Sequence, residues 1–189
     1  MELKGSKTEK NLLAAFAGEA QARTRYTFFA SVARKEGFEQ ISAIFTETAD
    51  NEKEHAQLFF AHLRGGDAEI TADYPAGAIG TTSQNLKAAA AGERLEWGSL
   101  YPNFAEVAGK EGFNEAASIF RRVALVESRH ERRYLKLLAN VETGQVFKKP
   151  EIVSWKCRNC GHIESKEAPP KCPVCAHEQA YFELFVENY

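Results

Sequence analysis

The 189-residue chain lacks the features that mark several common classes of protein. It has no uninterrupted apolar run long enough to cross a bilayer, and its polar first residues, 1–10, do not resemble a secretory signal. A formal net charge of −2 provides no basic field for nucleic acid or an acidic membrane. We therefore expect a cytoplasmic protein that binds neither nucleic acid nor membrane.

Cysteine is absent before Cys157, and all four cysteines lie in the short segment that begins there. Two tight cysteine pairs in a cytosolic chain favour a metal site over disulfide bonds. The clustering also predicts a domain boundary upstream of the cysteines. We place an N-terminal domain at residues 1–147 and a C-terminal module at residues 148–189.

Helix-breaking residues are scarce in the first long segment of the N-terminal domain. The segment from Thr8 to Lys35 has no proline, contains Gly18 as its only glycine, and carries apolar residues at helical spacing. Four segments are predicted as helices, at residues 8–35, 39–63, 83–110 and 114–140. The long connection at residues 67–82 has no helical period. This pattern predicts a mainly α fold, a four-helix bundle with one long crossover.

The two halves of this domain repeat each other. Three matches lie 75 residues apart: the K-E-G-F turns at 35–38 and 110–113, Glu52 with Glu127, and His55 with His130. Further upstream, Glu19 matches Glu93 at an offset of 74. The domain is therefore predicted to be a duplicated helical hairpin.

The change of offset predicts an irregularity in the third helix. Tyr26 follows Glu19 by seven residues, whereas Tyr101 follows Glu93 by eight, and on a regular helix the extra residue turns Tyr101 away from the matching face. A π-bulge absorbs one residue, so we predict one between Glu93 and Tyr101. The alternative is that the two tyrosines are not equivalent.

The repeated acidic residues and histidines predict a di-metal site. Each Glu-x-x-His pair shares one helix face, and four helices meeting in a bundle would bring together Glu19, Glu52, His55, Glu93, Glu127 and His130. Taken singly, each residue is typical of a solvated helix face. Four buried carboxylates require cations, and two divalent metals supply them. This donor set is that of ferritin-like carboxylate proteins, and it suits iron or manganese without excluding zinc.

One glutamate breaks the symmetry of the repeat. Glu96 lies one helical turn after Glu93, where the first helix has Ala22. We predict it as a seventh ligand that competes with His55, so that one iron changes ligand with oxidation state. Tyr26 and Tyr101 are predicted to hydrogen bond near the site, with core packing as the alternative. Three other candidates are predicted to lie on the surface: Glu54, His62 and Glu131.

The four cysteines form two C-x-x-C pairs, Cys157 with Cys160 and Cys172 with Cys175. This spacing predicts a tetrahedral four-thiolate site, and so short a segment needs the metal to stay folded. The residues leave open a structural zinc or a redox-active iron. The module resembles rubredoxin, except that Ala176 stands where glycine is usual. If this position needs a positive φ, alanine costs about 1 kcal/mol.

A duplicated bundle with these ligands, followed by a rubredoxin-like module, resembles the rubrerythrin family over essentially the whole chain. The resemblance implies two non-haem iron ions bridged by Glu52 and Glu127. It implies that Glu19 with His55 or Glu96 completes one iron, and that Glu93 and His130 complete the other. It also implies catalytic roles for Tyr26, Tyr101, Glu96 and His55, and one iron at the cysteines.

The implied activity is reduction of hydrogen peroxide to water during oxidative stress. Electrons would come from a rubredoxin or an NAD(P)H-linked reductase through the cysteine-bound iron, within a head-to-tail homodimer. Two alternatives remain open at this point. One is a ferritin-like protein that oxidises or stores iron, and the other is a zinc-ribbon interaction protein.

Overall fold

A computed structural model describes residues 2–188, which are mainly α-helical with a small C-terminal sheet. The helical elements are α1 (Lys7–Lys35), α2 (Glu39–Ala61), α3 (Thr82–Leu95), a π-helical turn (Glu96–Leu100), α4 (Tyr101–Lys110) and α5 (Asn114–Glu142). The strands are β1 (Ser154–Cys157), β2 (Ile163–Ser165) and β3 (Phe182–Leu184). Within residues 2–188, no helix combines the length and apolar character needed to span a membrane.

The predicted bulge is present as the π-helical turn between α3 and α4. The N–H of Tyr101 donates to the carbonyl of Glu96, a step of five residues in place of the usual four. Pro102 follows directly; it has no N–H, and in a regular helix its ring clashes with the carbonyl four residues earlier. The wider turn accommodates the proline. It also returns Tyr101 to the interior, where it is as buried as Tyr26.

Two aromatic clusters fill the bundle, one on each side of the acidic residues. Helices α1 and α2 form one hairpin, and α3 and α4 pack with α5 to form the other. The first cluster is centred on Tyr26, Phe45 and Tyr134, and the second on Tyr101, Phe59 and Phe120. Each buried ring contributes about 1.5–3 kcal/mol relative to an exposed one. These clusters fix the helix positions that hold the acidic residues between them.

The repeated K-E-G-F turns have a function that the sequence pattern did not reveal. Glu111, in the second turn, accepts hydrogen bonds at the start of α1 from the N–H and Oγ1 of Thr8, at 2.8 and 2.6 Å. Glu36, in the first turn, accepts from the N–H of Thr82 at the start of α3, at 3.0 Å. Each hairpin therefore caps the first helix of the other, where free N–H groups and the helix dipole favour a carboxylate.

The C-terminal module is an antiparallel sheet with strand order β2-β1-β3. Its core contains the fully buried ring of Trp155, together with Phe182 and Cys157. Phe147 packs against this core and stacks on Phe38, with ring centroids 6.1 Å apart. The module thus rests on the turn between α1 and α2.

Candidate metal centres

The di-metal candidate lies in the middle of the bundle, where four helices each present a glutamate. Helices α2 and α5 also present a histidine one turn after the glutamate, because residues three positions apart share a helix face. Two groups of side chains have ligand atoms within 4.8 Å of one another. The groups are Glu19, Glu52, His55 and Glu127, and Glu52, Glu93, Glu127 and His130. Glu52 and Glu127 belong to both groups.

Each imidazole faces both shared glutamates. The Nδ1 atom of His55 is 2.9 Å from Glu52 Oε2 and 2.8 Å from Glu127 Oε1. The Nδ1 atom of His130 is 2.8 Å from Glu127 Oε2 and 3.3 Å from Glu52 Oε1. Both nitrogens therefore point into the site, as metal ligands must.

The acidic groups are buried, and several of their oxygens lack hydrogen-bond partners among the described residues. Four glutamates are at most 1% exposed, and the two histidines are at most 7% exposed. Glu19 Oε2 and Glu93 Oε2 have no such partner. Glu52 Oε1, Glu127 Oε1 and Glu127 Oε2 have an imidazole nitrogen nearby but make no hydrogen bond of suitable geometry. A buried carboxylate oxygen without a partner is costly unless a cation neutralises it. These residues therefore fit two divalent metal ions.

The pKa values of these groups reflect the crowding of negative charge. Burial, followed by the charge of Glu52, raises the pKa of Glu93 to about 8. Burial alone would lower the pKa of His55 and His130, but contacts with Glu127 and Glu52 raise these values to about 9 and about 12. Burial likewise opposes ionisation of Glu127, but the two histidines lower its pKa below the usual value.

Two tyrosines connect the halves of the site reciprocally. The hydroxyl of Tyr26, from the first hairpin, donates to Glu93 Oε1 of the second at 2.5 Å. The hydroxyl of Tyr101, from the second hairpin, donates to Glu19 Oε1 of the first at 2.5 Å. Each bond leaves the other oxygen of its glutamate without a partner. The tyrosines therefore orient two of the candidate ligands.

Glu96 lies beside these groups but outside both. It is half-buried, and burial together with the charge of Glu93 raises its pKa, while Arg25 acts in the opposite direction. Its own charge contributes to the raised pKa of Glu19. In this structure the group of close ligand atoms that contains Glu19 includes His55 but not Glu96.

Of the three residues predicted to lie on the surface, two are placed differently from that prediction. Glu54 is exposed, whereas His62 and Glu131 are half-buried. Glu131 Oε2 accepts a hydrogen bond of 2.7 Å from the indole of Trp97, which lies in the π-helical turn. The guanidinium of Arg94 covers the same ring, 4.3 Å from its centroid. The sequence pattern missed this contact because Trp97 and Glu131 are brought together only by tertiary packing.

The cysteine candidate is compact. The Sγ atoms of Cys157 and Cys175 are 3.7 Å apart, and those of Cys160 and Cys172 are 3.6 Å apart. A tetrahedron with metal–sulfur bonds of about 2.3 Å has edges of about 3.8 Å, so the four thiols fit one metal ion. A hydrogen bond from the N–H of His177 lowers the pKa of Cys175 to about 6, which favours the metal-binding thiolate. Ala176 has a positive φ, at 60°.

Comparison with known proteins accounts for both centres. Residues 10–138 match the family described as "Rubrerythrin", and residues 155–183 match "Rubrerythrin, rubredoxin-like domain". The chain belongs to the rubrerythrin family. It is 64% identical to a rubrerythrin of Porphyromonas gingivalis, over 99% of this chain and 94% of that protein. It is 52% identical to a rubrerythrin of Nitratidesulfovibrio vulgaris, over 99% and 98% of the two chains.

A solved structure of a related protein has a similar fold. The fully reduced, all-ferrous nigerythrin shares 33% identity with this chain and has a TM-score of 0.64. The alignment covers 97% of this chain and 91% of that one. As a rubrerythrin-family protein, the chain has a ferritin-like bundle with a di-iron site and a rubredoxin-like domain with a four-cysteine site.

Proposed function

We propose that this protein is a peroxidase that reduces hydrogen peroxide to water at the di-iron site. Breaking the O–O bond of one H₂O₂ requires two electrons and two protons, and it yields two molecules of water. The observation that carries the proposal is the pair of adjacent ligand groups joined by Glu52 and Glu127. When bound there, two ferrous ions supply two electrons at one place and act as Lewis acids.

The ligand assignment follows from the two groups. We assign Glu19 and His55 to one iron, Glu93 and His130 to the other, and the two shared glutamates to both. Glu96 is assigned to the first iron as the alternative to His55 when the oxidation state changes. Its half-buried position next to both Glu19 and Glu93 supports this role.

In this proposal the two tyrosines orient candidate metal ligands, and Glu96 takes part in proton transfer. Tyr26 and Tyr101 hold one oxygen of Glu93 and Glu19, respectively, so the other oxygen of each glutamate would be available to bind a metal. In the metal-free protein, burial and neighbouring negative charges raise the pKa of Glu96. A carboxyl at that place can relay a proton from solvent when peroxide is reduced.

The cysteine centre serves as the electron inlet in this proposal, with one iron rather than zinc. Cys157 and Cys172 are buried, while Cys160 is exposed and Cys175 is half-buried. One edge of the metal site therefore faces the protein surface, where a donor such as a rubredoxin or an NAD(P)H-linked reductase can approach. We propose that a head-to-tail homodimer brings this inlet to the di-iron site, and that the protein acts in the cytoplasm.

A single-turnover experiment tests the proposal. The iron-loaded protein is reduced anaerobically, mixed with one equivalent of hydrogen peroxide per di-iron site, and followed by visible absorption with iron analysis. Rapid two-electron oxidation of the bundle iron is expected. A ferrous bundle that ignores peroxide but reacts readily with dioxygen would instead indicate iron oxidation or storage. Zinc at the cysteines with no metal in the bundle would indicate an interaction protein.

One variant tests the role of the cysteine centre independently of the di-iron site. Cys160→Ser removes an exposed thiolate of the inlet without touching the bundle. We expect it to lose steady-state turnover with an external donor, while the dithionite-reduced bundle is still oxidised once by peroxide. Equal steady-state rates in the native protein and the variant would show that electrons enter elsewhere.

A further inference from the structure

A cavity of about 600 Å³ adjoins the di-iron site on the side of Glu96. It lies between α1 on one side and the π-helical turn with α4 on the other, and residues 70–75 of the crossover form part of its wall. Glu96 and Tyr101 are the lining residues that also adjoin the ligand groups. The cavity is therefore continuous with the surroundings of the reacting centre.

The side chain of Tyr74 connects the crossover to α1 beside this cavity. The hydroxyl of Tyr74 donates to the carbonyl of Ala14 at 2.8 Å. The Tyr74 ring lies against α1 at Gly18, where an added Cβ would be 3.7 Å from the ring, an ordinary van der Waals distance. The otherwise exposed crossover thus has a fixed point at the cavity wall.

The wall has two chemical regions. Leu100, Phe104 and Val107 supply apolar surface along the π-helical turn and α4, and Lys7 and Lys10 also line the cavity at the start of α1. Near Glu96 the wall is polar, because Arg25 lines it and is held by a hydrogen bond of 2.7 Å from its Nε to Gln21. A ligand with an apolar body and a polar oxygen-containing end matches this distribution.

The size of the cavity exceeds what hydrogen peroxide needs. A cavity of about 600 Å³ is far larger than hydrogen peroxide, which has only two oxygen atoms. Cavities of about 300–1,000 Å³ with mostly apolar walls and a few polar groups are typical sites for organic ligands. Apolar walls offer few hydrogen-bond partners to water, whereas they contact the apolar part of an organic ligand favourably.

We propose that this cavity admits alkyl hydroperoxides as a further class of substrate. The alkyl chain would lie along Phe104 and Val107, and the hydroperoxide would lie beside Glu96. This inference rests on the proposed peroxidase function. The reaction balances as ROOH with two electrons and two protons giving ROH and water. The O–O bond breaks, the reduced di-iron site supplies the electrons, and the protons come from solvent.

The repeat provides a matched control for the test. Val107 lines the cavity, and Val32 occupies the same place in the first hairpin, 75 residues earlier. Both valines are half-buried on their helices, but Val32 does not line the cavity. Val107→Trp fills the cavity, and Val32→Trp adds the same bulk elsewhere. Val107→Phe is a smaller addition for use if the tryptophan variant does not fold.

The kinetic test compares octyl hydroperoxide with hydrogen peroxide. In the native, iron-loaded protein we expect both to be reduced. In Val107→Trp the ratio of kcat/KM for octyl hydroperoxide to that for hydrogen peroxide should fall at least about tenfold, the size of effect that a change in a hydrophobic pocket produces. In Val32→Trp the ratio should be unchanged. If hydrogen peroxide alone is reduced, the inference fails; if neither is reduced, the proposed function fails as well.

A binding test adds a readout that does not depend on turnover. Octan-1-ol is the redox-inert product, and its binding to the oxidised, iron-loaded protein is measured by titration calorimetry. We expect native protein and Val32→Trp to bind it alike, and Val107→Trp or Val107→Phe to bind it at least about tenfold more weakly. No binding to the native protein, or equal weakening in all variants, would overturn the inference.

Discussion

Removing the metals should make the stability of the bundle strongly dependent on pH. In the metal-free protein, Glu93, with a pKa of about 8, and His55, with a pKa of about 9, hold protons that the unfolded chain releases at lower pH. Unfolded glutamate and histidine titrate near 4.3 and 6.5. Raised pKa values of this kind stabilise the folded state fully at low pH and lose that stabilisation as the pH rises. Between pH 6.5 and 8, both groups therefore destabilise the fold with increasing pH.

The magnitude follows from proton linkage. Each proton that the folded state binds and the unfolded state has lost lowers the free energy of unfolding by about 1.4 kcal/mol per pH unit. His130, with a pKa of about 12, adds a third such proton. The expected loss from these three groups is thus about 1.4 to 4 kcal/mol per pH unit, and the raised pKa values of Glu19 and Glu96 act in the same direction. Glu127 has a lowered pKa, so its contribution to the free energy of unfolding is lost only at acidic pH, below the window of pH 6.5 to 8.

Urea denaturation followed by far-UV circular dichroism measures this dependence. Metal-free protein is compared at several pH values between 6.5 and 8. Glu93→Gln should reduce the slope by about 1.4 kcal/mol per pH unit, and Glu54→Gln, on the surface, should leave it unchanged. Metal-loaded protein should become more stable relative to metal-free protein as the pH rises, because the ligands must lose their protons to bind metal. A metal-free stability that is constant or rises over this window would refute the reasoning.

Two further predictions concern the folded framework. Glu111→Gln should lower the free energy of unfolding by about 1–2 kcal/mol in thermal denaturation at neutral pH, since it removes a charged cap from α1. Because hydrogen bonding from Thr8 lowers the pKa of Glu111, the difference should vanish as the pH falls below the usual carboxyl value; a difference that persists in acid would contradict the assignment. Ala176→Gly should stabilise the cysteine module by about 1 kcal/mol, because Ala176 has φ of 60°. The measurement is metal release to a chelator, and equal or faster release from the glycine variant would count against strain.

The sequence predicted the four helices, the repeat and the irregular turn because these depend on local spacing. The offset between the tyrosines located the π-helical turn, and Pro102 is a second signal for it, since a regular helix would clash with its ring. The predicted third helix, 83–110, is therefore interrupted. Helix ends were less accurate: the second helix ends at Ala61 rather than 63, and the last extends to Glu142 rather than 140. Helix ends fray and depend on tertiary contacts.

Other features depend on residues distant in the chain. The capping roles of Glu36 and Glu111 could not be read from the K-E-G-F turns, because each partner lies in the other hairpin. The position of Glu131 against Trp97 and the cavity beside Arg25 likewise arise only when helices pack. Spacing along one helix identifies which residues share a face, but not what that face meets.

The capping glutamate and the tyrosine of each hairpin contact the other hairpin, and this arrangement makes the hairpins depend on each other. Neither hairpin provides a partner for its own capping glutamate, and neither alone assembles a complete ligand group. The chain thus contains two related hairpins joined by the crossover, and the crossover contributes no member of either ligand group. Two separate polypeptides divided within residues 67–80 should therefore reassemble into one bundle.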